Sequence, residues 1–326
     1  NKLIPMLAKI QASLQEAGVE FLMNARMSDL VIESGRAKGI VLAGGEQILA
    51  DAVVMATGNC GRDVFQMLAR RRVELKAKSM AVGVRVEHPR HLIDKMRLGV
   101  YAGHPAIGAA EYSFVDRSQT RSVYTFCMCP GGHVLPVPTL NERLSVNGAS
   151  FSSRSSAHSN AAMVVGLEPA DWSEKYPGVL GGMRYQEELE KAAFVAGGGD
   201  YRAPAQRLED FLENRSGELA ASSYRPGLTS ANLNDLLPPM VSEALKLAFL
   251  EAGRRMRGYI HEEAMLMGFE TTTSSPVQIL RSSSGEAQSV LGLYPCGEGA
   301  GYAGGITSSA ADGLRIATTL LSSLPG

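Results

Sequence analysis

Nine residues near the end of this sequence, Gly297-Glu298-Gly299-Ala300-Gly301-Tyr302-Ala303-Gly304-Gly305, carry five glycines. Each glycine removes a Cβ, so a stretch this dense marks backbone that turns sharply or meets another surface at close range. The run before it, Val290-Leu291-Gly292-Leu293-Tyr294-Pro295-Cys296, reads as an apolar strand weakened by Gly292 and Pro295. The run after it, Ile306 to Leu321, has helical texture. Amide N–H groups of a first helical turn lack partners inside the helix and carry the positive end of its dipole. The spacing is compatible with a planar or anionic group against Gly304, Gly305 and Ile306. It is equally compatible with a tight turn and close helix–sheet packing.

The loop contains a literal G-x-G-x-x-G at Gly299, Gly301 and Gly304, the spacing of a dinucleotide-binding fingerprint. That fingerprint needs a further strand and an acidic residue about twenty positions on. Gly304 is followed only by the helix and the end of the sequence at residue 326, so the nicotinamide reading fails. Glycine is also in excess along the whole chain, 35 of 326 residues, where about 7% is usual.

A second stretch of buried-strand texture lies far upstream. Asp51-Ala52-Val53-Val54-Met55-Ala56-Thr57-Gly58 is a continuous apolar run ended by Thr-Gly, which suits a strand buried on both faces of a parallel sheet. Before it, Leu3, Leu7, Ile10 and Leu14 predict an amphipathic helix over residues 2–17, closed by Gly18. Val19 to Met23 predicts a short strand. Asp29–Ser34, Ala37–Leu42 and Gln47–Leu49, separated by glycines, predict an antiparallel meander. Between the two buried-strand stretches lie about 200 residues of mixed texture. Strands are predicted at 79–87 and 122–127, and helices at 184–196 and 242–257. Residues 131–160 are rich in Gly, Ser, Asn and Pro. The pattern is that of one domain split in sequence with a second inserted into it.

Composition excludes several classes. With 32 basic and 33 acidic residues, no global field recruits nucleic acid or an anionic membrane. No apolar run reaches the length of a membrane span, and Asn1-Lys2-Leu3-Ile4-Pro5 lacks the layout of a signal peptide. It opens straight into a helical pattern, so the sequence is expected to begin in the middle of a longer arrangement. Cys60, Cys127, Cys129 and Cys296 form no disulfide framework and point to a reducing, cytoplasmic compartment.

Cys296 to Gly313 resembles the closing segment of a family of poorly characterised FAD-dependent dehydrogenases, NAD(P)/FAD-dependent oxidoreductases of the two-dinucleotide-binding-domain type. Three further segments resemble the same family in the same order. They are Ala56-Thr57-Gly58-Asn59-Cys60-Gly61-Arg62-Asp63, Thr125-Phe126-Cys127-Met128-Cys129-Pro130-Gly131-Gly132 and Glu270-Thr271-Thr272-Thr273-Ser274-Ser275-Pro276-Val277. The resemblance implies an α/β fold: a partial, Rossmann-like FAD/NAD(P)-binding domain, split in sequence, with an inserted mixed α/β substrate or cap domain. It places residues 1–73 and 278–326 in the FAD domain and 74–277 in the insert. It implies FAD contacts from Ala56, Thr57 and Gly58, from Gly297, Glu298, Gly299 and Gly301, and from Gly304, Gly305 and Ile306. It further implies flavin-mediated redox of a small-molecule substrate, with NAD(P)H as a candidate electron donor. The family's N-terminal strand, its own G-x-G-x-x-G and its ribose-binding acid have no counterpart here, so the chain reads as the C-terminal portion of such an oxidoreductase. Thr272 stands where the family pattern leads one to expect arginine. A cofactor-free fragment or binding module is the alternative of a different class.

Catalytic candidates lie in the insert. Cys127 and Cys129 form a tempting reactive pair, but C-x-C is not the C-x-x-C redox spacing. Strand alternation would put both on one face as small buried residues. His133 could donate to a substrate, and Arg154, after Ser152 and Ser153 and with Asn160 nearby in sequence, could neutralise an acidic one. The plainer alternatives are an ordinary hydrogen-bonded histidine and a surface salt bridge. His88-Pro89-Arg90-His91 has H-x-x-H spacing broken by proline, and His261-Glu262-Glu263 lacks a second histidine, so no metal site is expected. No G-x-S-x-G occurs, and Arg70-Arg71-Arg72 and Arg254-Arg255 read as solvated faces.

Overall fold

The computed structural model describes residues 3–117 and 120–323. The reading of Asn1 and Lys2 therefore lies outside the described residues. The chain divides into two units, one of residues 1–78, 178–180 and 275–326 and the other of 79–177 and 181–274.

The first unit begins with α1 (Leu3–Glu16), followed by the meander β1 (Met27–Glu33), β2 (Arg36–Leu42) and β3 (Gln47–Leu49). Next come β4 (Val53–Met55), α2 (Arg62–Arg70) and β5 (Leu75–Ala77). The helix expected at the start forms, but none of its side chains is buried, and Leu3, Leu7, Ile10 and Leu14 are all exposed. Val19 to Met23 is not a strand. A strand is made by its neighbours, and no strand among the described residues pairs with it. β4 also differs from expectation: Val54 is 47% exposed, so the strand is not buried on both faces.

The second unit is built on a seven-stranded sheet. Its elements in chain order are β6 (Met80–Pro89), α3 (Arg90–Leu98), β7 (Val115–Asp116), β8 (Val123–Cys129), β9 (Gly132–Val137), β10 (Ser145–Ser150) and β11 (His158–Leu167). Then follow α4 (Ala170–Ser173), α5 (Gly181–Gly197), β12 (Ala203–Arg207), α6 (Leu208–Leu212), β13 (Leu228–Ser230), α7 (Leu233–Leu236), α8 (Pro239–Arg255) and β14 (Met265–Glu270). The sheet order is β13-β12-β14-β6-β11-β8-β7, antiparallel except for the β12–β13 pair. The interior strand β11 begins inside the Gly/Ser/Asn-rich stretch, where alternation is hard to read. The hairpin β9–β10 lies there too.

Period-two alternation in β6 sorts its side chains by chemistry. Met80, Val82, Val84 and Val86 join the main apolar core together with Met163 and Val165 of β11 and Leu245, Ala248 and Phe249 of α8. Ala81, Gly83, Arg85 and Glu87 occupy the other face, and every residue of β6 is buried. Two charged side chains are therefore locked under the sheet. Gly83 is required by contact, since a Cβ there would stand 2.0 Å from the Met163 carbonyl oxygen.

The chain then returns to the first unit with β15 (Val277–Ile279), β16 (Leu293–Pro295) and α9 (Ile306–Ser323). β15 pairs with β5, which draws residues 74–78 and 275–277 into the split unit rather than the insert. β16 pairs parallel with β4, Leu293 opposite Val53 and Pro295 opposite Met55. Among the described residues no helix is long and apolar enough to cross a membrane.

Candidate functional site

In the split unit, the parallel register of β4 and β16 brings their C-terminal ends side by side, with the Cys296 amide donating to the Met55 carbonyl at 2.9 Å. Ala56-Thr57-Gly58 and the glycine loop thus leave from the same edge, the usual place for a ligand in an open parallel sheet. Their meeting point has no room for side chains. A Cβ on Gly299 would stand 2.3 Å from the Gly58 carbonyl oxygen, and Gly58 itself has φ +69°. Gly299→Ala is expected to destabilise the unit by about 1–3 kcal/mol, because backbone meets backbone and neither can rotate away. Urea unfolding of the variant beside the wild type checks this, and an unchanged midpoint would contradict the packing.

The loop is held from behind by Arg281 and Asp312. Arg281 donates to the two carboxylate oxygens of Asp312 at 2.9 and 2.6 Å and to the Pro295 carbonyl at 2.8 Å. Its guanidinium carbon lies 3.5 Å from the centre of the Tyr302 ring. Asp312 also accepts from the Gly297 amide at 2.8 Å, tying α9 to the first residue of the loop. Hydrogen bonding from Arg281, reinforced by the Gly297 amide and Arg315, holds the Asp312 carboxyl at about 2 despite the opposing effect of burial.

The front of the loop is open. No atom lies within 4 Å of where a Cβ on Gly304 would be, and Ile306 at the start of α9 is 90% exposed. Half-buried Glu298 has its carboxyl pushed up by burial, with the charge of Lys78 opposing the shift. Burial pushes the Lys78 ammonium down. The sequence-predicted residues Ala56, Thr57, Gly58, Gly297, Glu298, Gly299, Gly301, Gly304, Gly305 and Ile306 all belong to this unit. The arrangement suits a planar group bearing negative charge: a bare glycine shoulder and the exposed start of an 18-residue helix.

The inserted unit holds a second cluster, under the polar face of β6. The fully buried Arg85 donates to Asn160 Oδ1 at 2.8 Å, Asn147 Oδ1 at 3.3 Å and Glu270 Oε2 at 3.2 Å. Its Nη2 donates to the Cys127 carbonyl at 2.6 Å and to Cys129 Sγ at 3.2 Å. Gly148 makes this possible, since a Cβ there would stand 2.1 Å from Nη2. Glu270 Oε1 and Asn160 Nδ2 are buried without hydrogen-bond partners. Burial raises the Glu270 carboxyl to about 7, with the Arg85 charge pulling it back.

The two cysteines do not share a buried face. On β8 the pairing with β11 runs from Cys129 opposite Asn160 to Phe126 opposite Ala162, one residue too many on the β8 side. This bulge, with Cys127 at φ +44°, breaks the alternation, exposing Cys127 and burying Cys129. His133 sits on β9 with its ring 5.7 Å from that of Phe151. Arg154 turns its guanidinium to Glu111 at 2.5 Å, both groups exposed, while its backbone lies against Gly131. His88 is buried, bonded through Nε2 to the Tyr259 carbonyl at 2.7 Å, and burial lowers it to about 4.

Sequence reasoning did not single out Arg85, Asn147, Glu270, Arg281 or Asp312. The signal for Arg85 was present as a charge at an alternate position of an otherwise apolar strand. Glu270 lies within the Glu-Thr-x-Thr-Ser-Ser segment, but its role depends on pairing 185 residues away.

A family model described as "FAD-dependent protein, C-terminal domain-like" matches residues 79–273, nearly the whole inserted unit. An FAD-binding domain model matches residues 5–87. An uncharacterised protein of Clostridium beijerinckii is 39% identical over 322 residues, 97% of this chain. The chain spans 60% of that relative's length. Among solved structures, BrvH, a flavin-dependent halogenase from Brevundimonas sp. BAL3, is 14% identical with a TM-score of 0.25, over 53% of this chain and 29% of the other. The structure of pqsL, a probable FAD-dependent monooxygenase from Pseudomonas aeruginosa, is 16% identical with a TM-score of 0.25, over 78% of this chain and 62% of the other.

Proposed function

The chain belongs to the family of FAD-dependent proteins that this C-terminal domain defines, and on that premise we propose that it forms the flavin-ring side and the substrate domain of an FAD-dependent oxidoreductase. FAD, when bound, supplies the redox chemistry. The residues of this chain bind and orient. The observation that carries the reading is the shoulder where Gly299 meets Gly58 with no space for a Cβ, while Gly304 and Gly305 leave the front of α9 bare. A flat ring can reach the backbone there, and the first-turn N–H groups of α9 favour negative charge placed against them. Ala56, Thr57 and Glu298 border the same shoulder. The inserted unit handles a small-molecule substrate, with NAD(P)H as the proposed electron donor.

The test is to purify the protein and record its visible spectrum before and after adding FAD. Uptake of FAD with quenching of flavin fluorescence is expected, weakened when Gly304→Val fills the open shoulder. Colourless protein that takes up no FAD would overturn the reading for this chain, leaving a cofactor-free binding module.

A further inference from the structure

Cys127 and Cys129 are arranged as no inert strand pair would be. The bulge in β8 turns one sulfur outwards and keeps the other beneath the strand. Cys129 Sγ nevertheless folds back, donating to the Cys127 carbonyl oxygen at 3.3 Å. The buried Arg85 guanidinium touches both residues, through the Cys127 carbonyl and Cys129 Sγ. Its carboxylate partner Glu270 engages it through one oxygen only. Positive charge is thus directed at the sulfur pair, the microenvironment of a reactive thiolate. The Cys129 hydrogen bond, assisted by Arg85, lowers the Cys127 thiol from its ordinary value, and burial alone opposes it.

We propose that Cys127 and Cys129 are a redox-active dithiol that closes to an internal disulfide, with a small disulfide as its oxidant. Exposure assigns the roles. The Cys127 thiolate attacks one sulfur of the small disulfide, breaking its S–S bond and releasing the first thiolate. Cys129 then loses its proton to that released thiolate and attacks Cys127 Sγ. The Cys127–Cys129 bond forms as the mixed disulfide breaks and the second thiolate leaves. The dithiol gives up two electrons to the small disulfide; the Cys127 proton goes to solvent when that thiol ionises and the Cys129 proton goes to the first released thiolate, leaving one protein disulfide, one small thiol and one small thiolate. This goes beyond the flavin reading and does not rest on it, so each can fail alone.

The probe is the aryl disulfide 5,5′-dithiobis(2-nitrobenzoate), applied without added FAD in a Cys60→Ala background, because Cys60 is also exposed. Release of two aryl thiolates per chain is expected, at about tenfold the rate of a cysteine peptide at neutral pH. Mass mapping should find residues 127 and 129 cross-linked with no adduct. In Cys129→Ser the aryl adduct should persist on Cys127. The proposal is overturned by a Cys127 no faster than the peptide, or by a wild-type adduct retained on Cys127 with Cys129 still reduced. Wild-type mapping decides the matter even where Cys129→Ser fails to fold.

Discussion

Arg85→Ala is expected to destabilise the inserted unit by about 3–5 kcal/mol, because removing one partner strands the other's charge in the interior. Arg85 and Glu270 are each fully buried, and the pair is seconded by Asn160, Asn147 and the Cys127 carbonyl. The loss should depend on pH in a defined direction. Glu270 already stands at about 7 against an ordinary 4.5, with Arg85 holding it down. Without Arg85 the folded carboxyl rises further, so the folded chain holds a proton that the unfolded chain releases above 4.5. Stability of the variant then falls as pH rises through that window, and the deficit is larger at pH 8 than at pH 5. Urea titrations at both pH values read this directly. The double variant Arg85→Met, Glu270→Gln should recover part of the loss, since neither charge is then left alone. A single-variant deficit that is small, or larger at pH 5, would remove the pair from its structural role.

Asp312→Ala is the second large effect, about 3 kcal/mol in the split unit, for the same reason at a different place. Arg281 and Asp312 have side chains only 5% and 9% exposed. The substitution strands the guanidinium under Tyr302 and frees the Gly297 amide at the root of the glycine loop. The wild-type pH profile carries its own signature. A carboxyl held at about 2 against an ordinary 3.8 stabilises above 3.8, and that contribution is lost as pH falls through about 2. Thermal melts between pH 4 and pH 2 should show the wild type losing this increment, with a flatter slope for the variant. FAD uptake should weaken together with stability, because the clamp sets the loop's shape. A variant with wild-type melting and wild-type uptake would show the clamp to be incidental.

Much of the architecture was legible because it is written in short-range patterns. The β1–β2–β3 meander, β6, α8 and the strand–loop–helix at residues 293–323 follow from periodicity and glycine placement. The failure at Val19–Met23 is instructive, since an apolar run states a preference while a strand is made by its partner. Residues 158–167 show the reverse: sequence texture hid an interior strand of the sheet until β6 and β8 were found on either side of it.

The site divides along the same line. The glycine loop and the Ala-Thr-Gly strand end were readable from residue types, because only glycine permits the backbone approach seen between Gly299 and Gly58. The cysteine pair was visible as C-x-C, but regular alternation pointed to two buried sulfurs. One bulged residue in β8 reversed that for Cys127, and a bulge is set by pairing with β11 rather than by the strand itself. Arg85 with Glu270, and Arg281 with Asp312, lie 185 and 31 positions apart. By itself the sequence determined the glycine shoulder, the split order of the chain and the helix that closes it, since these depend on local backbone freedom and apolar period. Only the tertiary structure decided which charges are buried together and which sulfur faces outwards, because both depend on what a strand packs against.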